Sequence, residues 1–301
     1  MPATISITVP PKTTTCFVVA TERELGDARL AMRRQLAEPF AAAANERLST
    51  SRLAITSYRA ADSPWDLTGA AAADRDDHES ETRARKAVHH VGVTSLLQVS
   101  GQPFGAQVAR AAARALAATM AGVIVDLNTA QILPQDTPEN PRFALADDWL
   151  GVSLPPEDEH CSDGDESIDG CSCVELTTRG LRRFGLPELQ IAGVACPQDL
   201  AALNVLRATA QRLMPIGQLP GPQVLPSYLP LVSDDLAGFW GIAEPLWADG
   251  PLPVQLASLG PRLISIGPPP EFQGTLNEWL WDELPPVMHE LLGCTADPLP
   301  S

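Results

Sequence analysis

The alternation of apolar and polar positions along the chain predicts several short strands. Residues 5–9 alternate apolar and polar side chains, and residues 16–19, 53–58, 188–191 and 262–266 carry apolar side chains at half or more of their positions. Successive side chains of a strand point to opposite faces, so these patterns are typical of strands that pack at least one face against a core.

The densest apolar stretch, residues 88–134, predicts the centre of the fold. It begins with a strand over residues 90–100 and, after a helix, continues with two short strands at Val123–Asp126 and Gln131–Leu133. The stretch contains no Walker A sequence, no dinucleotide-binding glycine pattern and no nucleophile elbow. We therefore expect it to be a scaffold rather than a catalytic site.

The helix of this stretch is predicted to begin at Pro103 and to end at Gly122. Proline suits the first helical turn, and glycine suits the left-handed residue that often follows a helix. Its apolar positions recur every four residues and therefore share one face of the helix, and its polar positions lie on the opposite face. The apolar stripe is Phe104, Val108, Ala112 and Leu116, and the polar positions are Gln107, Arg110 and Arg114.

Other segments predict helices and connections. Thr21 and Glu24 have the spacing of a capping box, which predicts a helix that runs towards Leu36. Further helices are predicted from Pro197 and from Thr275. Residues 60–85 are polar and charged, which favours a surface loop. The five prolines of residues 215–230 favour a stiff surface connection rather than a packed element.

These elements together predict an α+β protein with mixed or antiparallel sheets covered by helices, either one compact unit or two closely packed halves. The N-terminal α/β half is expected over residues 1–154 and the C-terminal α+β half over residues 174–301. Between them, an acidic loop over residues 155–173 is expected to join strands at 149–154 and 173–177.

Charge narrows the classes of partner. The chain has a formal net charge of −16, whereas proteins that neutralise phosphates present a basic face. Nucleic-acid binding and association with an anionic membrane are therefore disfavoured, and a basic protein partner is favoured.

The start of the chain has no secretory signal pattern, and its longest apolar run is too short to span a bilayer. We expect a cytoplasmic protein, and the sequence leaves its oligomeric state open.

The acidic loop contains one pattern that is typical of a metal site. His160 and Cys161 are followed, after nine intervening residues, by Cys171 and then Cys173, and thiolate and imidazole ligands suit tetrahedral zinc. The spacing differs from that of a standard zinc finger, so an incidental set of cysteines in a solvated loop is the alternative. Cys196, like Cys16 and Cys294, sits singly in the sequence and is expected to be a reduced thiol.

The carboxylates of the same loop predict a binding surface. They are Glu157, Asp158, Glu159, Asp163, Asp165, Glu166 and Asp169. An oxygen-rich loop can bind calcium, but Ile168 occupies the position where a calcium-binding hand needs glycine. Contact with a basic protein partner is the simpler role.

Two adjacent histidines, His89 and His90, open the central strand and point to opposite faces of the sheet. One of them could act as a base, with Ser95, Ser100 or Asp126 nearby in the fold. A histidine at the edge of a strand is more often simply hydrogen-bonded, and Asp126 is typical of a turn former.

The order of elements resembles a bacterial protein family. The resemblance lies in Gly-Gln-Pro before an alanine-rich helix, Ala-Gly-Val-Ile-Val-Asp-Leu-Asn-Thr-Ala after it, and Arg-Gly-Leu-Arg-Arg-Phe-Gly-Leu-Pro-Glu-Leu further on. Over roughly residues 85–215 this is similar to the uncharacterised domain-of-unknown-function family numbered 4261. The resemblance implies a bacterial α+β domain and carries over no catalytic residue.

Two functions follow as hypotheses. The first is a non-enzymatic, cytoplasmic bacterial interaction protein of the toxin-neutralising or regulatory kind, which binds a basic protein partner. The second is a metal-dependent or hydrolytic enzyme that uses the segment 160–173 or the His89–His90 strand edge. The missing catalytic motifs favour the first hypothesis.

Overall fold

The computed structural model describes residues 3–72, 77–134, 137–153 and 171–292. Its contacts divide the chain into two compact units. The N-terminal unit comprises Pro10–Phe143 and Arg182–Gly185, and the C-terminal unit comprises Met1–Val9, Ala144–Leu181 and Leu186–Ser301. The first strand thus groups with the C-terminal unit, because it pairs with a strand of that unit.

Fourteen strands are described. In chain order they are β1 (Thr4–Val9), β2 (Lys12–Thr21), β3 (Leu53–Arg59), β4 (Ala71–Ala72), β5 (His89–Gln98), β6 (Val123–Asp126), β7 (Gln131–Leu133), β8 (Gly151–Ser153), β9 (Val174–Arg179), β10 (Glu188–Val194), β11 (Gly221–Pro226), β12 (Tyr228–Leu231), β13 (Leu252–Gly260) and β14 (Leu263–Gly267).

Eight α-helices are described. They are α1 (Ala28–Gln35), α2 (Phe40–Ser49), α3 (His78–Lys86), α4 (Phe104–Met120), α5 (Ala146–Trp149), α6 (Asp199–Leu213), α7 (Ser233–Trp240) and α8 (Leu276–Asp282). None of the described helices has the length and apolar character that a bilayer crossing requires.

The N-terminal unit is built on a six-stranded mixed sheet in the order β3-β5-β2-β6-β7-β4. Its pairings are antiparallel except for β4, which runs parallel to β7. Helix α4 packs against β2 and β5, and α3 packs against β2 and β6. Because β2 is covered by helices, its consecutive residues Phe17, Val18, Val19 and Ala20 are all buried and the strand lacks alternation there.

Helix α4 begins where the sequence predicts, but its polar face is not exposed. The side chains of Gln107, Arg110 and Arg114 are buried. Arg110 donates through Nε and Nη2 to the two carboxylate oxygens of Glu139, at 2.6 and 2.9 Å, and Gln107 Nε2 donates to the Asn140 carbonyl. The segment that follows β7 therefore covers the face that the sequence pattern leaves to solvent.

The end of α4 differs from the prediction by one residue. Ala121, with φ of 51°, takes the left-handed position that we expect for Gly122. A Cβ atom on Gly122 would lie 2.5 Å from Val19 Cγ1 and 3.1 Å from the Ala20 carbonyl oxygen. Glycine is needed at position 122 because the chain passes close to β2, not because of its backbone conformation.

The C-terminal unit contains a second six-stranded sheet, in the order β12-β13-β14-β10-β9-β8, and a two-stranded sheet of β1 and β11. Strand β10 runs parallel to β14 and antiparallel to β9. Helix α6 packs against β9, β10 and α7. Helices pack against both six-stranded sheets. The predicted α+β class with mixed and antiparallel pairing is therefore confirmed.

Several local predictions are wrong for identifiable reasons. Residues 215–230 contain β11 and β12 rather than a bare connection, because each is a sheet edge, where proline is tolerated. The predicted strand at 149–154 is the end of α5 followed by the shorter β8.

Two predictions near the N-terminus also fail. Thr21 ends β2 and donates its hydroxyl to the Met120 carbonyl, so Asp27 caps α1 instead. Residues 60–85 include β4 and most of α3, whose first turn Asp77 caps by accepting a hydrogen bond from the Ser80 amide.

Candidate metal centre

Strand pairing in the C-terminal unit brings three cysteines to one end of two neighbouring strands. Cys173 directly precedes β9, whose first residue, Val174, pairs with Val194 at the end of the antiparallel strand β10. Cys196 follows Val194 by two residues and opens a short 3-10 turn that leads into α6. The antiparallel register therefore places Cys196 beside the start of β9, where Cys171 also lies.

The three sulfur atoms form a tight cluster. Cys196 Sγ lies 3.3 Å from Cys173 Sγ and 3.5 Å from Cys171 Sγ, and all three sulfurs lie within 4.8 Å of one another. Each cysteine is half-buried, and no disulfide joins the described cysteines. Cys196 has two sulfur neighbours at nearly equal distance, whereas a disulfide about 2.05 Å long would use one of them and leave the other.

Backbone and side-chain hydrogen bonds fix the position of this cluster. The amide of Cys196 donates to Cys171 Sγ at 3.2 Å, an interaction that stabilises a thiolate. The buried Asn277 of α8 accepts a hydrogen bond from the Ala195 amide at 2.8 Å and donates to the Gly193 carbonyl at 3.4 Å. Asn277 thus holds the backbone on both sides of Val194 and sets the direction in which Cys196 leaves the sheet.

The interactions among the three cysteines oppose the ionisation of their thiols. The hydrogen bond with Cys173, followed by burial and the interactions with Cys171, raises the pKa of Cys196 to about 11. Three thiolates at these distances repel one another, so all three ionise together only when a cation shares the site. The N-terminus of α6, which begins at Asp199, adds a weaker positive potential near Cys196.

The geometry fits a tetrahedral thiolate site. A Zn–S bond is about 2.3 Å long, so sulfurs at two corners of a zinc tetrahedron lie about 3.8 Å apart. The separations of 3.3 and 3.5 Å in the structure are slightly shorter than that edge. To reach that edge, Cys196 Sγ would have to move about 0.3–0.5 Å further from each of its two sulfur neighbours.

The structure changes the sequence hypothesis for this site. It brings Cys171 and Cys173 together, as predicted, and adds Cys196, which the sequence treats as a single thiol. The other two predicted ligands, His160 and Cys161, lie outside the described residues and stay predictions. The same holds for the predicted partner-binding carboxylates Glu157, Asp158, Glu159, Asp163, Asp165, Glu166 and Asp169.

Cys196 could have been found from the sequence by pairing the strands. The stretches 173–177 and 188–191 are both predicted strands, and an antiparallel pairing of neighbours in the chain would place the residue after the second strand beside the residue before the first. The spacing between Cys173 and Cys196 matches no standard motif, because a complete strand pair lies between them.

The histidine pair takes up different positions. His90 is buried, and its Nδ1 lies 2.8 Å from Ser63 Oγ, while burial lowers its pKa. His89 lines a cleft of about 900 Å³ with Glu24, Tyr58 and Arg59. Ser63 was not among the residues that the sequence places near the pair. A hydrogen-bonded core histidine is the arrangement seen for His90.

Asp126, the other candidate at a strand end, has two structural partners. Its Oδ1 accepts a hydrogen bond from the Asn128 amide, and its Oδ2 lies 2.8 Å from Arg183 Nη2. The first contact is the turn-forming role that the sequence indicates. The second is a fully buried ion pair that the sequence does not indicate.

Comparisons of this chain with protein-family models, with curated proteins and with solved structures found no match. The resemblance over roughly residues 85–215 therefore stays a prediction.

Proposed function

We propose that this protein is a zinc-binding, non-enzymatic interaction protein whose zinc ion is held by the thiolates of Cys171, Cys173 and Cys196. The observation that carries the proposal is the convergence of the three sulfurs within 4.8 Å of one another. The sulfurs come from two separate parts of the chain, so their convergence is a product of the fold rather than of a local sequence motif.

The chemistry of the donors favours zinc in a structural role. Thiolate ligands select soft or borderline ions, and zinc sites made mainly of cysteine are usually structural. The described cluster contains cysteine sulfur alone, without a histidine or carboxylate that could serve as a general base. Reduced thiols are needed for such a site, which agrees with the cytoplasmic location expected from the sequence.

The ion would tie together two parts of the C-terminal unit. Cys171 and Cys173 end the acidic segment of residues 155–173, while Cys196 opens the path from β10 into α6. Zinc bound there would anchor the end of the acidic segment beside the start of β9 and the end of β10. We propose that the anchored segment contributes to the binding of a basic protein partner, in keeping with the net charge of −16.

Metal analysis of the purified full-length chain tests the zinc site. After reconstitution with zinc and removal of loosely bound ions, we expect one zinc per chain by mass spectrometry. C196S should lose this zinc because it removes the sulfur that lies between the other two. C16S is the matched control, since Cys16 lies in the N-terminal unit with its sulfur 3.4 Å from Thr94 Oγ1.

Three outcomes would contradict the zinc site. They are a zinc content well below one per chain, an unchanged zinc content in C196S, and, in protein analysed as purified without added metal, copper or iron in place of zinc. The same measurement on H160A and C161S tests whether either residue supplies a further ligand, as the sequence hypothesis holds. Neither of those two results affects the part of the site formed by the three described sulfurs.

A further inference from the structure

A cleft of about 590 Å³ in the C-terminal unit combines an apolar floor with an acidic rim. It lies between the start of β13, the chain after β14, and helix α8 with the turn that follows it. The floor includes Trp279, which is buried, and the half-buried ring of Phe272. The walls carry five prolines, Pro251, Pro253, Pro269, Pro285 and Pro286.

The rim has charge of a single sign. Asp249, Glu271, Asp282 and Glu283 line the cleft with their side chains exposed, and no lysine, arginine or histidine lies among the lining residues. None of these four carboxylates forms a salt bridge with another residue in the described part of the chain. The cleft is therefore a region of negative potential beside an apolar surface, which attracts cationic groups that carry an apolar stem.

The spacing of the carboxylates argues against a metal ion as the occupant. A hard divalent cation needs several oxygen ligands at about 2–2.6 Å, which places those oxygens close to one another. Among the described residues, no three carboxylates come within 4.8 Å of one another, and the cysteine cluster is the group that meets this distance. The cleft is better suited to several separate positive charges than to a single ion.

We propose that this cleft binds an extended, arginine-containing segment of a protein partner. Its volume lies within the range of about 300–1,000 Å³ that is typical of ligand sites, and holds a few side chains. Proline walls are rigid and already shaped, so little conformational entropy is lost on binding. The face of Phe272 can stack against a guanidinium, while the rim carboxylates bind it from the side.

This inference rests on the proposed interaction function and names a second surface for it, separate in sequence from the acidic segment 155–173. A partner with positive charges at intervals along an extended chain could contact both surfaces. Nucleic acids and anionic membranes would be repelled by the same four carboxylates.

The test uses the zinc-loaded full-length chain and a fluorescent peptide of alternating arginine and proline. We expect saturable binding that weakens as salt is raised, because exposed ion pairs are screened. The double variant E271Q/D282N should raise the Kd about tenfold, since it removes two rim charges. The matched control E22Q/E46Q removes the same charge from exposed positions of the N-terminal unit and should leave the Kd unchanged.

The outcomes separate this inference from the zinc site. A Kd that is unaffected by E271Q/D282N, or raised equally by E22Q/E46Q, overturns the cleft as the binding site. Equal binding of a peptide with glutamine in place of arginine overturns its charge selectivity, and preference for spermine over the peptide overturns the protein partner. The zinc content of each variant is measured in parallel. A protein that binds zinc normally but does not prefer the arginine peptide over the glutamine peptide rejects the cleft as a binding site and leaves the zinc site standing.

Discussion

Arg183 Nη2 lies 2.8 Å from Asp126 Oδ2, and neither side chain is exposed to solvent. The two residues are far apart in the sequence but both belong to the N-terminal unit. The guanidinium also lies 5.9 Å from the ring centroids of Phe17 and Phe184, so it is enclosed by aromatic rings as well as by its counter-ion. A charge in such a place is tolerable only while its partner is present.

Removal of either partner of this pair should destabilise the protein strongly. We expect D126N or R183M to lower the free energy of unfolding by about 3–5 kcal/mol, because each leaves one buried charge without its counter-ion. Denaturant unfolding measures the change. E46Q is the control, since the Glu46–Arg52 pair is largely exposed and its loss should cost less than about 1 kcal/mol.

The double variant D126N/R183M provides a stricter test of the same pair. With both charges removed, the loss should be smaller than the sum of the single losses. Additive losses would mean that the two side chains do not act on each other, contrary to the geometry.

The buried His90 should make stability depend on pH. Burial lowers its pKa in the folded protein, whereas an unfolded histidine has a pKa of about 6.5. Above that value both states hold His90 neutral and its contribution to stability is complete. As the pH falls below about 6.5, the unfolded chain binds a proton that the folded chain resists until the pH reaches its own lowered pKa, so the free energy of unfolding decreases over that interval.

Comparison of the wild type with H90Q isolates this effect. The difference in unfolding free energy should shift in favour of H90Q between about pH 8 and about pH 5. Burial also lowers the pKa of His289, but both proteins contain His289 and its contribution cancels. If the difference in unfolding free energy between the wild type and H90Q stays constant across this range, the lowered pKa of His90 is contradicted.

The close approach of Gly122 to β2 predicts a large effect from a small substitution. G122A places a methyl group 2.5 Å from Val19 Cγ1, and Val19 is fully buried and cannot move aside freely. Overpacking of this kind costs about 1–3 kcal/mol of unfolding free energy. G101A is the matched control, because a Cβ atom at Gly101 meets nothing within 4 Å. Equal effects of the two substitutions would contradict the packing.

Asn277 should affect zinc affinity although it lies outside the sulfur cluster. N277A removes the hydrogen bonds that hold the backbone next to Cys196, and loss of such support typically weakens metal binding about 10–100-fold. N204A is the control, since Asn204 is also buried but donates to the carbonyls of Met288 and Glu290. Competition with a zinc indicator would measure both affinities. An unchanged affinity in N277A would mean that Cys196 needs no such support.

The elements with strong periodicity are the ones that the sequence predicts well. Strands β6 and β7 and the start of α4 follow from apolar runs and from Pro103, since these signals lie within a few residues of one another. Helix α3 has a comparable signal, with Asp77 before its first turn and basic residues in its last turn. The sequence does not predict this helix because it has no apolar stripe. Ala84 is the residue that it buries, and the residues around Ala84 are mostly charged.

The features that the sequence does not reveal depend on tertiary pairing. Arg110 and Arg114 look like solvent-facing residues until the segment with Glu139 covers them. Cys196 joins Cys173 only through the register of β9 and β10. The acidic cleft gathers carboxylates from Asp249 to Glu283, which no local pattern connects.

X-ray absorption at the zinc edge of the reconstituted full-length protein tests the three-sulfur site most directly. We expect a shell of at least three sulfur atoms at about 2.3 Å from the zinc. In C196S, any zinc that remains should show one sulfur fewer, and in C16S the shell should be unchanged. A shell composed of nitrogen and oxygen at about 2.0–2.2 Å would contradict the assignment of Cys171, Cys173 and Cys196 as ligands.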